Sequence, residues 1–242
     1  MEKFFEYLAL VFDIHTSYRR FRVDSFFESC AKDWDPNSIC IDVGGKREKK
    51  KGKFLVEQYI LHPIYVNLDS NVKPDYICDA CNMPFQNGFA DIIICSEMLE
   101  HVDNVDDILN EIYRILKTNG QCFICVPFSM HVHGDPKDYG RYTNYFWKKH
   151  LFNCGFYIVK EEKQGGYWTT KLNMNKRFLK CYRRRNKYNP MLIIIYPLCV
   201  IQRICCLLLE KILPIDETGY TTGYGFVIKK RERDFYENCV NI

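Results

Sequence analysis

From Ser38 onward, six short apolar runs each end in a turn or an acidic residue: "SICIDVGG", "IYVNLDS", "DYICDA", "ADIIICSE", "CFICVPF" and "FYIVKEE". Runs of this length that stay apolar instead of alternating fit strands buried on both faces of a parallel sheet. Between the fourth and fifth, "NVDDILNEIYRILKTNG" spaces Val105, Ile108, Leu109, Ile112, Ile115 and Leu116 as a helical stripe. Asp106 and Asp107 fall in its first turn, Lys117 in its last and Gly120 just beyond, in line with helix-end preferences. The alternation of strand and helix predicts an α/β fold with a mainly parallel sheet covered on both faces, whose ligand lies at the carboxyl ends of the strands.

The 242 residues allow one such domain with an elaboration. Residues 1–34 carry apolar positions at helical spacing (Phe4, Phe5, Leu8, Val11, Phe12, then Phe26 and Phe27) and are expected to be helical. The core is expected over residues 35–163. Residues 164–222 break its rhythm: "NKRFLKCYRRRNKY" holds seven basic residues and no acid, and "NPMLIIIYPLCVIQRICCLLLEKIL" follows directly. "TGYGFVIKKRE" then reads as a last strand, antiparallel and at or near the sheet edge, so residues 223–242 are strand and tail and 164–222 an insertion.

A net charge of +4 does not by itself point to nucleic acid, and no RNA-binding module accompanies the arginine run. Thirteen cysteines in a chain that opens "MEKFFEYLAL", without a basic n-region or a small-residue cleavage site, fit a reducing cytoplasm. Cys78/Cys81 and Cys122/Cys125 form two CxxC pairs, the ingredients of a four-thiolate zinc site. The second pair lies in a buried-looking strand, so cysteine as a small hydrophobe is the preferred reading and no metal is assigned.

The chemistry concentrates at strand ends. Asp42 follows the first run, Asp69 the second and Asp79 the third. A carboxylate after the second strand is placed to accept hydrogen bonds from vicinal ribose hydroxyls. Asp79 with Ala80 could read an adenine edge, and Asp42 would stand near a cationic ligand end. A helix cap is the competing use of each carboxylate, and the series of three favours a shared ligand. Gly44 and Gly45 let backbone approach that ligand, while the absence of GxxxxGK[ST] and GxGxxG argues against a triphosphate cradle.

In this order, "IDVGGK", "NLDS", "CDACNMPF", "NGFADIIICSEMLEHV", "EIYRILKTNG" and "CFICVPF" resemble the class I methyltransferases that use S-adenosylmethionine, over roughly residues 38–163 and within the type 11-like group. The resemblance implies a Rossmann-like doubly wound sheet of seven strands. It implies that Asp42, Gly44 and Gly45 contact the amino-acid part of the cofactor, Asp69 the ribose and Asp79 with Ala80 the adenine, with Ser96 and Glu97 beside the methionine portion. Lys46 stands where that group often has a further glycine, and the first helix after the glycine loop is expected to be shortened. His101 in "LEHV" is read as orienting the following loop.

"PFSMHVHGDPKDYGRYT" follows the fifth strand at the same end of the sheet. Methyl transfer from a sulfonium needs alignment, and a hydroxyl acceptor also needs a base. His133 is the candidate base, with Asp135 or Asp138 as orienter; His131, Tyr139 and Arg141 are candidate acceptor contacts. The alternative is a purely structural loop in which Asp135 and Pro136 start a turn and Arg141 pairs with a carboxylate. Similar loops, followed by a glycine pair such as that of "QGGYW", occur in methyltransferase-like proteins encoded with bacterial surface-polysaccharide genes. That resemblance implies a saccharide or lipid-linked glycan hydroxyl as acceptor; a quinone or small lipid, and a non-catalytic scaffold, are the alternatives.

The apolar run Met191–Ile201 is shorter than the about 20 residues a membrane span requires. Basic residues beside it suit peripheral contact of 176–213 with anionic lipid on the inner face of the cytoplasmic membrane. A lid over the acceptor site and a homodimer interface are the competing readings.

Overall fold

A computed structural model describes residues 17–48, 52–134, 136–186, 189–213 and 219–231. The first half of the expected N-terminal helical segment, residues 1–16, and the candidate orienter Asp135 lie outside them.

Each of the six apolar runs carries a strand: β1 (Cys40–Val43), β2 (Ile64–Asn67), β3 (Tyr76–Ile77), β4 (Ala90–Ser96), β5 (Leu116–Pro127) and β6 (Phe156–Lys163). With β7 (Gly223–Lys230) they form one sheet in the order β3-β2-β1-β4-β5-β7-β6. Strands β1 to β5 pair in parallel, whereas β7 runs antiparallel to both β5 and β6, one place in from the edge. The order reverses between β1 and β4, and such a switch point opens a crevice beyond the carboxyl ends of the strands.

Helices cover both faces. On one, α2 (Val105–Ile115) packs Ile108, Leu109, Ile112 and Ile115 against Ile93, Cys95 and Val126. On the other, α1 (Tyr18–Ala31) places Val23, Phe26 and Phe27 with Trp34, Ile94 and Phe123. Each such side chain contributes about 1.5–3 kcal/mol when fully buried. Helix α3 (Asn144–Asn153) adds Trp147 and Leu151 to the first layer.

Two local expectations change. Asn104 caps α2 as its side chain accepts from Asp106 N, but the helix ends at Ile115, so Lys117 belongs to β5 and pairs with Asp91 at 2.8 Å. Leu116 turns extended to join the sheet, and a register shift between Ala90 and Ile92 absorbs the residues around Gly120. Between β1 and β2 the described residues hold only a 3-10 turn, Val56–Gln58, where a shortened helix is expected from the sequence.

The basic and apolar stretch forms two helices, α4 (Tyr167–Arg185) and α5 (Leu192–Ile212). They meet the rest of the molecule where Tyr18 of α1 packs with Leu172, Cys206 and Leu207. Glu210 on α5 reaches back to the start of α4: its Oε1 accepts from Gly166 N at 2.5 Å and its Oε2 from Thr169 N at 3.2 Å. A carboxylate at a helix N-terminus satisfies unpaired N–H groups and the dipole together. A Cβ on Gly166 would lie 2.8 Å from Glu210 Oε1, and Gly165 holds φ +85°, so the glycine pair is what permits this joint. Among the described residues no helix is long and apolar enough to cross a membrane.

Candidate active site

At the switch point lies a cavity of about 730 Å³, within the range of small-molecule sites. Asp42, Gly44, Gly45, Asn67, Ser96 and Glu97 form its floor at the ends of β1, β2 and β4. The glycine loop is built for close approach. Gly44 takes φ +77° and donates its N–H to Val66 O at 2.8 Å; a Cβ on Gly45 would stand 2.4 Å from Asp42 Cγ. Asn67 Nδ2 donates to the carbonyls of both Gly44 and Gly45 at 2.9 Å, which pins the loop from the neighbouring strand.

Glu97 closes the floor with φ +52°, a conformation that costs a non-glycine residue energy and that surrounding contacts must hold. Its N–H donates to Cys125 O at 2.8 Å, and its carboxylate is paired with Arg19 of α1, which is 2% exposed and also bonds Gln164.

The other acidic strand ends are arranged differently. Asp69 is exposed, and its Oδ1 accepts from Asn71 N and Nδ2 at 2.9 Å; Asp79 is exposed, and its Oδ1 accepts from Cys81 N at 2.9 Å. Each carboxylate thus closes a turn of its own chain. Neither they nor Ala80 line the cavity, so Asp42 is the one acidic strand end of the three that does.

The loop after β5 supplies Met130, His131 and His133 to the cavity wall. Asp138 organises it: Oδ2 accepts from His133 N at 2.7 Å, while Arg141 donates to both carboxylate oxygens at 2.6 and 2.8 Å. The Arg141 fork, more than offsetting burial, holds the Asp138 carboxyl down at about 2. Asp138 Oδ2 also lies 3.5 Å from His133 Nδ1, while Arg141 Nη2 stands nearer to that nitrogen at 3.1 Å. Burial, and then Arg177, push the His131 imidazole below its usual range. Tyr139 is exposed, its N–H donating to Glu100 O, and neither it nor Arg141 lines the cavity.

His101 also lines the cavity, and its Nδ1 lies 2.6 Å from Lys137 O, tying the "LEHV" segment to the loop after β5. Beneath it the Glu100 side chain is 2% exposed, and among the described residues neither carboxylate oxygen has a hydrogen-bond partner. Burial first, and the Glu97 carboxylate second, push its carboxyl up to about 8. Helix α4 closes the far side with Asn173, Lys176, Arg177 and Lys180.

Sequence reasoning missed Arg19, Asn67 and Glu100, and reached the cationic wall only through the competing lid reading of 176–213. Asn67 was within reach, since it ends an apolar run two positions before Asp69; Arg19 meets Glu97 across 78 positions and carries no local signal.

Residues 64–124 match the family described as Methyltransferase domain. Over 50 residues the chain is 34% identical to the ubiquinone/menaquinone biosynthesis C-methyltransferase UbiE of Desulfotalea psychrophila, a match spanning 21% of this chain and 20% of that protein. Among solved structures it resembles the [4+2]-cyclase SpnF, with 16% identity, TM-score 0.58, and coverage of 90% of this chain and 85% of that one. It also resembles an S-adenosylmethionine-dependent methyltransferase from Archaeoglobus fulgidus, with 16% identity, TM-score 0.53, and coverage of 88% and 94%. The fold is that of the S-adenosylmethionine-dependent methyltransferases, and the family match falls on its central segment.

Proposed function

We propose that this chain is an S-adenosylmethionine-dependent methyltransferase that acts on a hydroxyl of a saccharide or lipid-linked glycan in cell-surface polysaccharide assembly. One observation carries the reading: a single cavity joins the Asp42–Gly45 cradle to the two imidazoles of the loop after β5 and to a cationic wall. The residues fit the cofactor, because the tight turn of Gly45 against Asp42 leaves backbone and one carboxylate facing a space of suitable volume.

When bound, the cofactor supplies an electrophilic methyl group on a sulfonium. Asp42 faces that positive end, Gly44 and Gly45 admit the amino-acid part, and Ser96 and Glu97 flank it. Asp69 is assigned the ribose and Asp79 with Ala80 the adenine; both carboxylates would then share or exchange their present turn bonds. His133, oriented by Asp138, assists removal of the acceptor proton, and His131 faces the acceptor.

Lys176, Arg177 and Lys180 favour an acceptor bearing an anionic group, as the phosphate of a lipid-linked glycan would. Their position on the wall supports a lid role for α4. The exposed apolar side of α5 beside Arg183, Arg184 and Arg185 supports resting on an anionic cytoplasmic membrane surface; self-association is the alternative.

A second reading, a quinone or small-lipid methyltransferase, is favoured by the relative named for ubiquinone and menaquinone synthesis. The third reading is a non-catalytic scaffold built on the cofactor fold; the likeness to a [4+2]-cyclase supports it only in that this fold alone does not fix methyl transfer.

Calorimetric titration with S-adenosylhomocysteine tests the cofactor site. Asp42→Ala and Asp69→Ala are expected to bind at least about tenfold more weakly, the scale of a lost charge-assisted hydrogen bond; affinity equal to wild type in both would refute the assignment. Labelled methyl incorporation into cell-envelope extracts then identifies the acceptor. His133→Ala should lower that turnover about 10²–10⁴-fold and leave cofactor affinity intact.

A further inference from the structure

The Glu100 carboxylate is buried beneath the cavity wall, and neither of its oxygens has a hydrogen-bond partner among the described residues. A carboxylate removed from water ordinarily finds N–H or O–H donors, and leaving both oxygens without them is costly. What faces it is a pair of imidazoles: His101 Nε2 lies 3.7 Å and His133 Nε2 3.9 Å from Glu100 Oε1. These separations are too long for hydrogen bonds. They are close to the about 3.4 Å expected between two ligands that share one tetrahedral ion at 2.0–2.2 Å from each. A ligand atom from each of the three residues lies within 4.8 Å of the other two, the one such group of three among the described residues.

We infer that Glu100, His101 and His133 form a binding site for a divalent transition-metal cation on the wall of the cavity. Ring orientation supports this. A carbonyl oxygen only accepts, so the bond to Lys137 O at 2.6 Å places the His101 proton on Nδ1 and leaves the lone pair of Nε2 facing Glu100. His133 Nδ1 lies 3.1 Å from His131 O, which only accepts, and 3.1 Å from Arg141 Nη2, which only donates, so its contacts admit either tautomer and only the His101 ring is fixed in this way. Outer contacts of this kind fix the tautomer of metal-bound imidazoles.

The chain is shaped for the approach of the two rings. Gly134 takes φ +76°, and a Cβ there would stand 2.9 Å from His101 Cε1, so glycine lets the loop fold over His101 and bring the ring centroids to 5.0 Å. Local charge allows a cation as well. Arg19 is matched by Glu97 and Arg141 by Asp138, which leaves the Glu100 carboxylate for the ion.

Two imidazoles and one carboxylate suit Zn²⁺, Fe²⁺, Co²⁺ or Mn²⁺ and leave coordination positions open. His101 and His133 both line the cavity, so the open positions face the space assigned to the acceptor. If the methyltransferase reading holds, His133 would hold the cation in place of acting as the base, and an acceptor hydroxyl bound to that cation would release its proton to solvent more readily.

The test is a titration of the full chain, first dialysed against chelator, with Co²⁺ as the probe and its visible absorption as the readout. One Co²⁺ per chain is expected, without the absorption that thiolate ligands give. Glu100→Gln, which keeps the buried volume, and His133→Gln, on the loop, should each weaken binding at least about tenfold, as even outer-shell losses do at metal sites. Equal affinity in wild type and variants, thiolate absorption, or no saturable binding would each overturn the site. S-adenosylhomocysteine titration of the same samples separates the two readings: its failure with Co²⁺ binding intact removes the methyltransferase and keeps the metal site, and the reverse result does the opposite.

Discussion

Helices α2 and α5 are both rich in aliphatic residues, and they use them in opposite ways. In α2, Val105, Ile108, Leu109, Ile112 and Ile115 are all 5% exposed or less, and the sheet absorbs the whole stripe. In α5, Ile194, Leu198, Ile201, Leu208 and Ile212 range from 48% to 70% exposed, while Cys206, Leu207 and Arg203 face inward. The cause is visible in the pattern. The apolar positions of α2 fall on one stripe and its acids elsewhere, whereas α5 is apolar around most of its circumference, which exceeds what one neighbouring surface can cover. Apolar content therefore did not decide burial; whether the residues converge on a face with a sheet beneath it did.

The largest effect separating the helices is on stability. Ile112→Ala removes a fully buried side chain from the α2 layer and is expected to cost about 2–5 kcal/mol in urea denaturation. A loss under 1 kcal/mol would mean that this layer is loosely packed and that the contrast with α5 is one of degree.

A smaller effect comes from the polar edge of α2. Glu111 accepts from Met83 N at 2.6 Å and from Arg114 Nε and an Arg114 terminal nitrogen at 2.7 Å. Burial acts to raise its carboxyl, but the Arg114 and Met83 donors outweigh it and hold the group below its usual range. The folded state thus binds this proton more weakly than the unfolded chain. Its contribution is complete above the unfolded value of about 4.3 and is lost as pH falls through the lower folded value. Glu111→Gln should cost about 1–3 kcal/mol at pH 7, the scale of hydrogen bonds to a charged group. The gap to wild type should narrow as urea titrations are repeated toward pH 3; a gap independent of pH would remove Glu111 as its source.

The same contrast separates what could be read from the residues from what could not. Buried strands and α2 were legible because burial on a regular element leaves a period, and each of the six apolar runs carries a strand. The glycine pair of the β1 loop was legible because a backbone conformation leaves a residue type. The end of α2 was misread by a turn because Lys117 and Gly120 suit a helix terminus as well as they suit the start of β5. The directions of Asp69 and Asp79 were not legible at all. A carboxylate after a strand serves a ligand or its own turn equally well, and only the rotamer decides. Glu100 was hidden for a related reason, since its burial follows from His133, 33 positions later, folding back over His101.

The smallest expected effect on stability belongs to α5 and is the most informative about its purpose. Substituting Ile194, Leu198 and Ile201 together by Ser removes only exposed side chains, so chemical denaturation should move by no more than about 0.5 kcal/mol per position. Co-flotation with vesicles containing anionic lipid should nevertheless be lost, because membrane binding scales with the apolar area inserted and with basic residues beside it. Arg183, Arg184 and Arg185 remain in the variant, so flotation that persists at high salt would have to come from somewhere other than charge. If the triple substitution instead destabilises the chain in a manner that depends on protein concentration, a second copy covers this face in solution. The exposed side of α5 would then be the counterpart of the α2 stripe, buried between subunits instead of against a sheet.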